Sequence, residues 1–347
     1  MSLSDPSEKL PEQPTMHDVA RLADVSIKSV SRVINSEPHV SVKLRAKVEA
    51  AIATLGYVPD QAARSLAGGR SFTIGVLFDN PSPNYTMKVQ AGIYRACVEH
   101  QYHLRIDNLD SIDPATDLER QLTAVLRNGR VDGFVLTPPI ADNLFVLDFL
   151  ERNGVHYSRI APFAEPDRSP GVRMDDRAAA ASIADLFWSL GHRRFGLING
   201  QKMHGAATAR REGFLDRLRE LDPQIEVAEA YGGFEFVLGI KAGGRLLDLD
   251  PQPTAIFATN DDSAAGAMVA IRERGLQVPA QISLCGFDDS WVATSVWPLL
   301  TTVRQPIEEM AHVAAGQAIA RPPHEADGQV KTLDYELVMR DSVGPAP

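Results

Sequence analysis

A chain of 347 residues, 44% apolar and 23% charged, exceeds one ordinary core and is too mixed in composition to be fibrous or disordered. It has no apolar run of the kind that makes a signal peptide or a spanning helix, so a cytoplasmic, nucleoid-associated protein without membrane contact is expected. Cys97 and Cys285 are far apart in apolar patterns and read as reduced core thiols rather than a disulfide or redox pair.

Residues 1–14, with three prolines and several charges, read as a disordered tail. TMHDVARLADVSIKSVSRVIN, from Thr15 to Asn35, then reads as two short helices joined by a tight turn. Thr15-x-x-Asp18 is a capping box, and Val19, Ala20, Leu22 and Ala23 form the first buried stripe. After a turn at Asp24-Val25, Ser26 caps a second helix with Val30, Val33 and Ile34 inward. Ile27, Lys28, Ser29 and Arg32 are left outward, where a helix-turn-helix meets base edges in the major groove. A helical hairpin packed on something else is the other reading of this pattern. Ser41 caps a third helix carrying Leu44, Val48, Ile52 and Leu55, and Gly56 stops it. Residues 15–60 thus form an all-α reading head. The alanine-rich 61–70 that follows is either a plain linker or a hinge helix whose Leu66 wedges into a minor-groove step.

Beyond Ser71 short β-branched runs alternate with helical stretches. Strands are expected at Thr73–Phe78, Tyr102–Ile106 and Val131–Thr137, with helices at Tyr85–His100 and Asp117–Asn128. The rhythm restarts after Arg173, with strands at Arg194–Ile198, Ile225–Ala230, Ala255–Thr259 and Ile282–Phe287. Helices fall at Ala178–Leu190, Thr208–Leu221, Gly239–Leu247 and Ala264–Arg274. From Thr301 the chain crosses back with a helix at Ile307–Ala320 and a strand near Leu333–Met339. Two series of βα units imply an α/β body of two doubly wound parallel sheets. Ligands of such sheets bind beyond the carboxyl ends of the strands, here followed by Asp79-Asn80, Thr137, Asn199-Gly200, Asn260-Asp261 and Asp288-Asp289. Short donors and acceptors in that array suit a polyhydroxylated ligand, although Asx residues after strands also cap helices. Charge is divided unevenly: residues 15–70 hold eight Lys/Arg against five Asp/Glu, whereas 71–347 hold 26 against 37. The basic end is the expected reading head.

The motifs HDVARLADVS, SVSRVIN, KVEAAIATLGYVP and ARSLAG, then SFTIGVLFDN, VDGFVLTPP, LGHRRFGLING, TAIFATNDDSAAGAM, ISLCGFDDS and PLLTTVRQP, resemble the LacI/GalR family of transcriptional repressors. The resemblance implies a homodimer on a palindromic double-stranded DNA operator, responding to a small effector, most often a sugar. It implies a body of periplasmic-binding-protein type, lobe 1 at about 71–173 and 304–330 and lobe 2 at about 174–303 and 331–340, hinged by crossovers. Candidate DNA contacts are Thr15, His17, Ser26, Ile27, Lys28, Ser29, Ser31, Arg32, Asn35, His39, Ser41, Tyr57, Arg64 and Leu66. The family's effector positions fall on Asp79, Thr137, Arg210, Asn260, Asp288 and Gln305, with Phe234 as an aromatic plate and Tyr85 as a further candidate. Arg159 stands in a run, VHYSRIAPF, that is usually apolar, and is a candidate to reach the cleft; Trp291 fits either the pocket mouth or the lobe interface. A periplasmic solute-binding protein and a purine- or nucleoside-responsive regulator are the alternatives. Hydrolase and nucleotide-binding motifs are absent, His100 and His103 read as a solvated helix end, and no metal or cofactor is expected.

Overall fold

The computed structural model describes residues 14–34, 40–57, 70–80, 82–110, 117–201, 204–320 and 330–347. Asn35, His39, Arg64, Leu66, the hinge segment 61–69 and all but the last residue of the expected tail lie outside the described residues. The chain forms two compact units, Met1–Phe72 and Thr73–Pro347.

In the first unit, α1 (Met16–Leu22), α2 (Ile27–Ile34) and α3 (Val42–Leu55) pack around Val19, Ala20, Ala23, Val30, Val33, Val48, Ala51 and Tyr57. Local chemistry sets each boundary. Thr15 Oγ1 accepts from the Asp18 amide and Asp18 Oδ2 accepts from the Thr15 amide, closing the expected capping box. Ser26 and Ser41 cap α2 and α3 by accepting from the Ser29 and Leu44 amides. Gly56, at φ +60°, ends α3 in the left-handed region that glycine enters without strain. One expectation fails. Leu22 is 51% exposed, because the small Ala20 and Ala23 occupy the face that meets the other helices.

The second unit holds two all-parallel sheets. The first orders β11-β5-β4-β3-β1-β2, with β1 Thr73–Phe78, β2 His103–Asn108, β3 Gly133–Leu136, β4 Tyr157–Ile160, β5 Gly171–Met174 and β11 Val330–Leu333. The second orders β7-β6-β8-β9, with β6 Phe195–Asn199, β7 Val227–Tyr231, β8 Ala255–Ala258 and β9 Ser283–Cys285. Central strands such as TIGVLF and AIFA are buried on both faces, which is why they read as apolar runs rather than alternations. Layered on the sheets are α4 (Pro83–His100), α5 (Leu118–Arg127), α6 (Leu144–Arg152), α7 (Asp176–Ser189), α8 (Gly205–Leu221), α9 (Phe236–Leu247), α10 (Asp261–Glu273) and α11 (Ile307–Ala320). Helix α6 and strand β5 had no counterpart in the sequence reading; both are short, α6 lying between Asn143 and Asn153 and β5 starting directly after Pro170.

The chain passes between the lobes between β5 and α7, after β10 (Thr302–Arg304), and after β11. The last differs from expectation. The expected strand near 333–339 is two strands, of which β11 pairs with β5 in the first sheet and β12 (Glu336–Val338) pairs antiparallel with β10. Residues 331–333 therefore belong with the first lobe, since parallel pairing with Gly171–Met174 holds them there.

Candidate effector cleft and DNA-reading surface

The helix-turn-helix leaves His17, Ser26, Ile27 and Lys28 exposed, with Ser29, Ser31 and Arg32 half-buried beside them. Lys28 makes no hydrogen bond or ion pair among the described residues, so its ammonium stands ready for a phosphate or base edge. The hydroxyls of Thr15, Ser26 and Ser41 are already engaged as caps. Tyr57 departs from expectation: it is 6% exposed and packs in the three-helix core, so its role is to close that core rather than to touch DNA.

In the body, six expected effector residues meet. Tyr85, Arg210, Phe234, Asn260, Asp288 and Gln305 line one cavity, together with Asn80, Ser82 and His204. Lobe 1 supplies the residues after β1 and at the start of α4; lobe 2 supplies those after β7, β8 and β9, the cap of α8 and Arg210 within it, and Gln305 follows β10 where the chain crosses back. Its volume is about 20 Å³. Sites for small ligands run roughly 300–1,000 Å³, so the cavity with the lobes in this arrangement is smaller than such a site.

Arg210 organises the lobe-2 wall. Its Nε donates to Asp176 Oδ1 at 2.8 Å and its Nη1 to the Thr259 carbonyl at 2.8 Å, and its guanidinium lies 3.8 Å above the Phe287 ring. Asp288 Oδ1 sits 3.6 Å from Arg210 Nη1 and accepts from Gln305 Nε2. Burial pushes the Asp288 carboxyl up to about 6 against the pull of Arg210 and Gln305. Behind it, burial and then the Asp288 charge push Asp261 up to about 8. Burial likewise holds the Tyr85 hydroxyl well above its ordinary range.

Asn260 caps α10, accepting from the Ser263 amide at 3.0 Å, and its Nδ2 donates to the Phe234 carbonyl at 3.1 Å. That bond helps hold Phe234 in the left-handed region, at φ +69°. Gly200 makes room for the ring, since a Cβ there would lie 2.3 Å from Phe234 Cζ. His204 packs edge-on to the same ring, centroids 4.9 Å apart. Burial, then Arg210, drop the His204 pKa to about 3, so the imidazole is neutral. Its Nδ1 accepts from the Ala207 amide at 3.3 Å, which assigns the proton to Nε2 as a donor. His204 and Ser82 escaped the sequence reading. The only signal for either was its position as a helix cap, before Gly205-Ala206-Ala207 and before Pro83-Asn84.

Three candidates stay out of the cavity. The Thr137 hydroxyl is fully buried and donates to the Leu77 carbonyl at 2.9 Å, stitching β1 to the end of β3. Asp79 gives way to its neighbour Asn80. Arg159 is 0% exposed, and its guanidinium bonds Ser169 Oγ and the carbonyls of Ala141, Ala164, Glu165 and Pro166. With five N–H donors used on five acceptors, it braces the loop after β4 and offers nothing to a ligand. Trp291 is 65% exposed and does not line the cavity. Among the described residues no group of His, Cys, Asp and Glu is placed to hold a metal, and no helix is long and apolar enough to cross a membrane.

A helix-turn-helix unit and a two-lobed body with a polar, aromatic-plated cleft define a ligand-responsive DNA-binding regulator. Residues 15–60 match the bacterial regulatory proteins of the lacI family, and residues 184–343 match the periplasmic binding protein-like domain. The ribose operon repressor of Escherichia coli (strain K12) is 32% identical over 309 residues, covering 88% of this chain and 92% of its own. The transcriptional repressor PurR of Proteus mirabilis is 33% identical over 339 residues, covering 96% and 98%. Among solved structures, the lac repressor dimer bound to operator and the anti-inducer ONPF is 28% identical with a TM-score of 0.76, covering 96% of this chain and all of that one. A complex of the regulator CelR with cellobiose gives 28% and 0.70, covering 95% and 99%. The chain belongs to the lacI family of bacterial regulatory proteins and is a DNA-binding transcriptional regulator.

Proposed function

We propose that this chain represses a carbohydrate-utilisation operon from the nucleoid, binding a palindromic operator as a homodimer and sensing an uncharged sugar between its lobes. The observation that carries the reading is the make-up of the cleft. Amide, imidazole, carboxyl and phenol groups from both lobes converge beside the Phe234 ring, which suits a ligand with many hydroxyls and a flat C–H face. Among the described residues that line the cavity the guanidinium is Arg210, already committed to Asp176, Thr259 and Asp288, which favours a ligand without a phosphate or carboxylate. Similarity to the ribose operon repressor and to a cellobiose-bound regulator supports a sugar; similarity to PurR keeps a purine as the second arm of the test.

Met87, Tyr94 and Val98 make an apolar stripe on α4, 66%, 61% and 59% exposed, and Trp291 and Trp297 are 65% and 70% exposed. A second copy covering these surfaces supplies the dimer. Effector binding then shifts the lobe angle only as far as its affinity for the two arrangements differs, about 1–3 kcal/mol of coupling per site.

A thermal-shift panel of neutral pentoses, hexoses and disaccharides, with hypoxanthine and guanine alongside, tests the effector. A ligand at 100 times its Kd stabilises the folded body by about 2.7 kcal/mol and raises its midpoint. Stabilisation by a purine and by no sugar would overturn the sugar assignment. Arg210→Met is expected to weaken the effector by about 100-fold or more, since it strips Asp288 of its counter-charge; unchanged affinity would remove Arg210 from the site. On the DNA side, exchanging Ile27 and Lys28 is expected to change the operator selected from a random pool, each lost base contact costing about 1–3 kcal/mol. The same selected sequence before and after would rule these residues out as readers.

A further inference from the structure

Asp262 follows the cavity residue Asn260 but faces the other lobe. Its Oδ2 accepts from Ser82 Oγ at 2.9 Å and its Oδ1 accepts from Asn84 Nδ2 at 3.0 Å, both from the start of α4. These bonds join residues about 180 positions apart and link the cavity's two walls directly. Ser82 and Asn84 are 3% and 9% exposed, so neither bond is a frayed surface contact. Both sides of the link, Ser82 and Asp262, are tied back to the pocket. The Ser82 amide donates to Asn80 Oδ1 at 2.9 Å, and Asn260 Nδ2 approaches Asp262 Oδ2 at 3.5 Å. One turn further along α4, Lys88 Nζ donates to the carbonyls of Asp288 and Asp289 at 3.2 and 2.8 Å.

We infer that Asp262 is a positioning residue, the lobe-2 half of a latch whose lobe-1 half is Ser82 and Asn84. Asp262 sets how readily the cleft closes without itself lining the cavity. Charge-assisted hydrogen bonds are the stronger kind, and these two exist only while the lobes are together. Losing them leaves a carboxylate that water readily solvates in the open cleft, so the balance moves toward opening. Because Asn80 and Asn260 sit at the two ends of the chain of bonds, the latch also fixes the spacing of donors across the ligand. This inference rests on the cleft being the effector site, yet its test needs no sugar, so either reading can fail while the other stands.

Spin labels on cysteines replacing the exposed Glu119 of α5 and Lys241 of α9 report lobe separation in the full chain by double electron–electron resonance. Dilution with unlabelled chain restricts the signal to distances within one protomer. In Asp262→Ala the ratio of closed to open molecules is expected to fall by about tenfold or more. Asn84→Ala should shift it in the same direction by less, and the double variant should open no further than Asp262→Ala alone. Single-variant distance distributions identical to the parent, or effects that simply add, overturn the latch. Should Asp262→Ala fail to fold, Asp262→Asn takes its place: the amide keeps the shape but offers one acceptor oxygen where two donors need satisfying. A closed population equal to the parent's in that variant likewise overturns the proposal.

Discussion

Replacing Arg159 by leucine is expected to destabilise the body by about 3–5 kcal/mol in urea unfolding, the largest effect of any change outside the cleft. The side chain is fully buried, and four of its acceptors are main-chain carbonyls at Ala141, Ala164, Glu165 and Pro166. Leucine removes every donor at once and leaves those carbonyls short of partners in a region water cannot readily reach. The loop that holds Ala164, Glu165 and Pro166 includes Ala161 and Glu165 in the left-handed region, at φ +49° and +44°, a conformation that only outside support maintains. Asp142 gives part of that support, its Oδ1 accepting from the Phe163 and Ala164 amides at 2.8 and 3.0 Å. A loss below about 1 kcal/mol would show that the loop holds itself and that the arginine is dispensable. Operator and effector binding should be retained wherever the variant stays folded, since Arg159 lies outside the cavity.

Asp261→Asn is expected to change the pH dependence of stability. Asp261 is buried under the cleft, its Oδ1 accepting from Thr302 Oγ1 at 2.6 Å and its Oδ2 from the Ser290 amide at 2.7 Å. Burial and the neighbouring Asp288 raise its pKa from 3.8 to about 8. The folded protein therefore holds a proton that the unfolded chain has already released across that window. Stability must fall as pH rises from about 4 to about 8, because the native state binds the extra proton. Asparagine can accept from Ser290 through its oxygen and donate to Thr302 through its nitrogen, so it keeps both contacts without a charge to bury. The variant should match the parent near pH 4–5 and exceed it by about 2–5 kcal/mol at pH 8. Asp288, raised to about 6 by the same burial, adds a slope of the same sign that both proteins share. Unfolding measured at pH 5 and pH 8 decides it: parallel losses in parent and variant would mean that Asp261 is ionised throughout.

The two outcomes bear on how far a sequence can be read. Arg159 in VHYSRIAPF looked like a cleft residue because an arginine in an apolar strand asks for a reason, and a ligand is one. The structure supplies another reason: the loop after β4 turns back over the strand and presents its carbonyls to the guanidinium. Nothing in the order of residues announces that return, since loop conformation at Ala161 and Glu165 depends on packing rather than propensity. Leu22 and Tyr57 failed in the same way. Helical spacing gives a face, but which residues on it are covered depends on the neighbouring helices, and small alanines let α1 sit with Leu22 outside.

What the residues alone determined is the set of local units. Caps at Thr15, Ser26 and Ser41, the glycine stop at Gly56 and the alternation of apolar runs with amphipathic stretches fix helices and strands because hydrogen bonding and burial act within a few residues. That level was enough for a reading head followed by two parallel sheets, and it put Asn260 and Asp288 beside strand ends; Arg210, Phe234 and Gln305 were named by the resemblance to the family rather than by local pattern. Only the tertiary structure decided which strand ends face one another, that His204 and Ser82 join them, and that Thr137, Asp79 and Arg159 do not. It also decided that β11 returns to the first sheet and that Asp262 reaches across to α4. Those are contacts between residues tens to hundreds of positions apart, chosen by how whole lobes pack, and no local pattern encodes them.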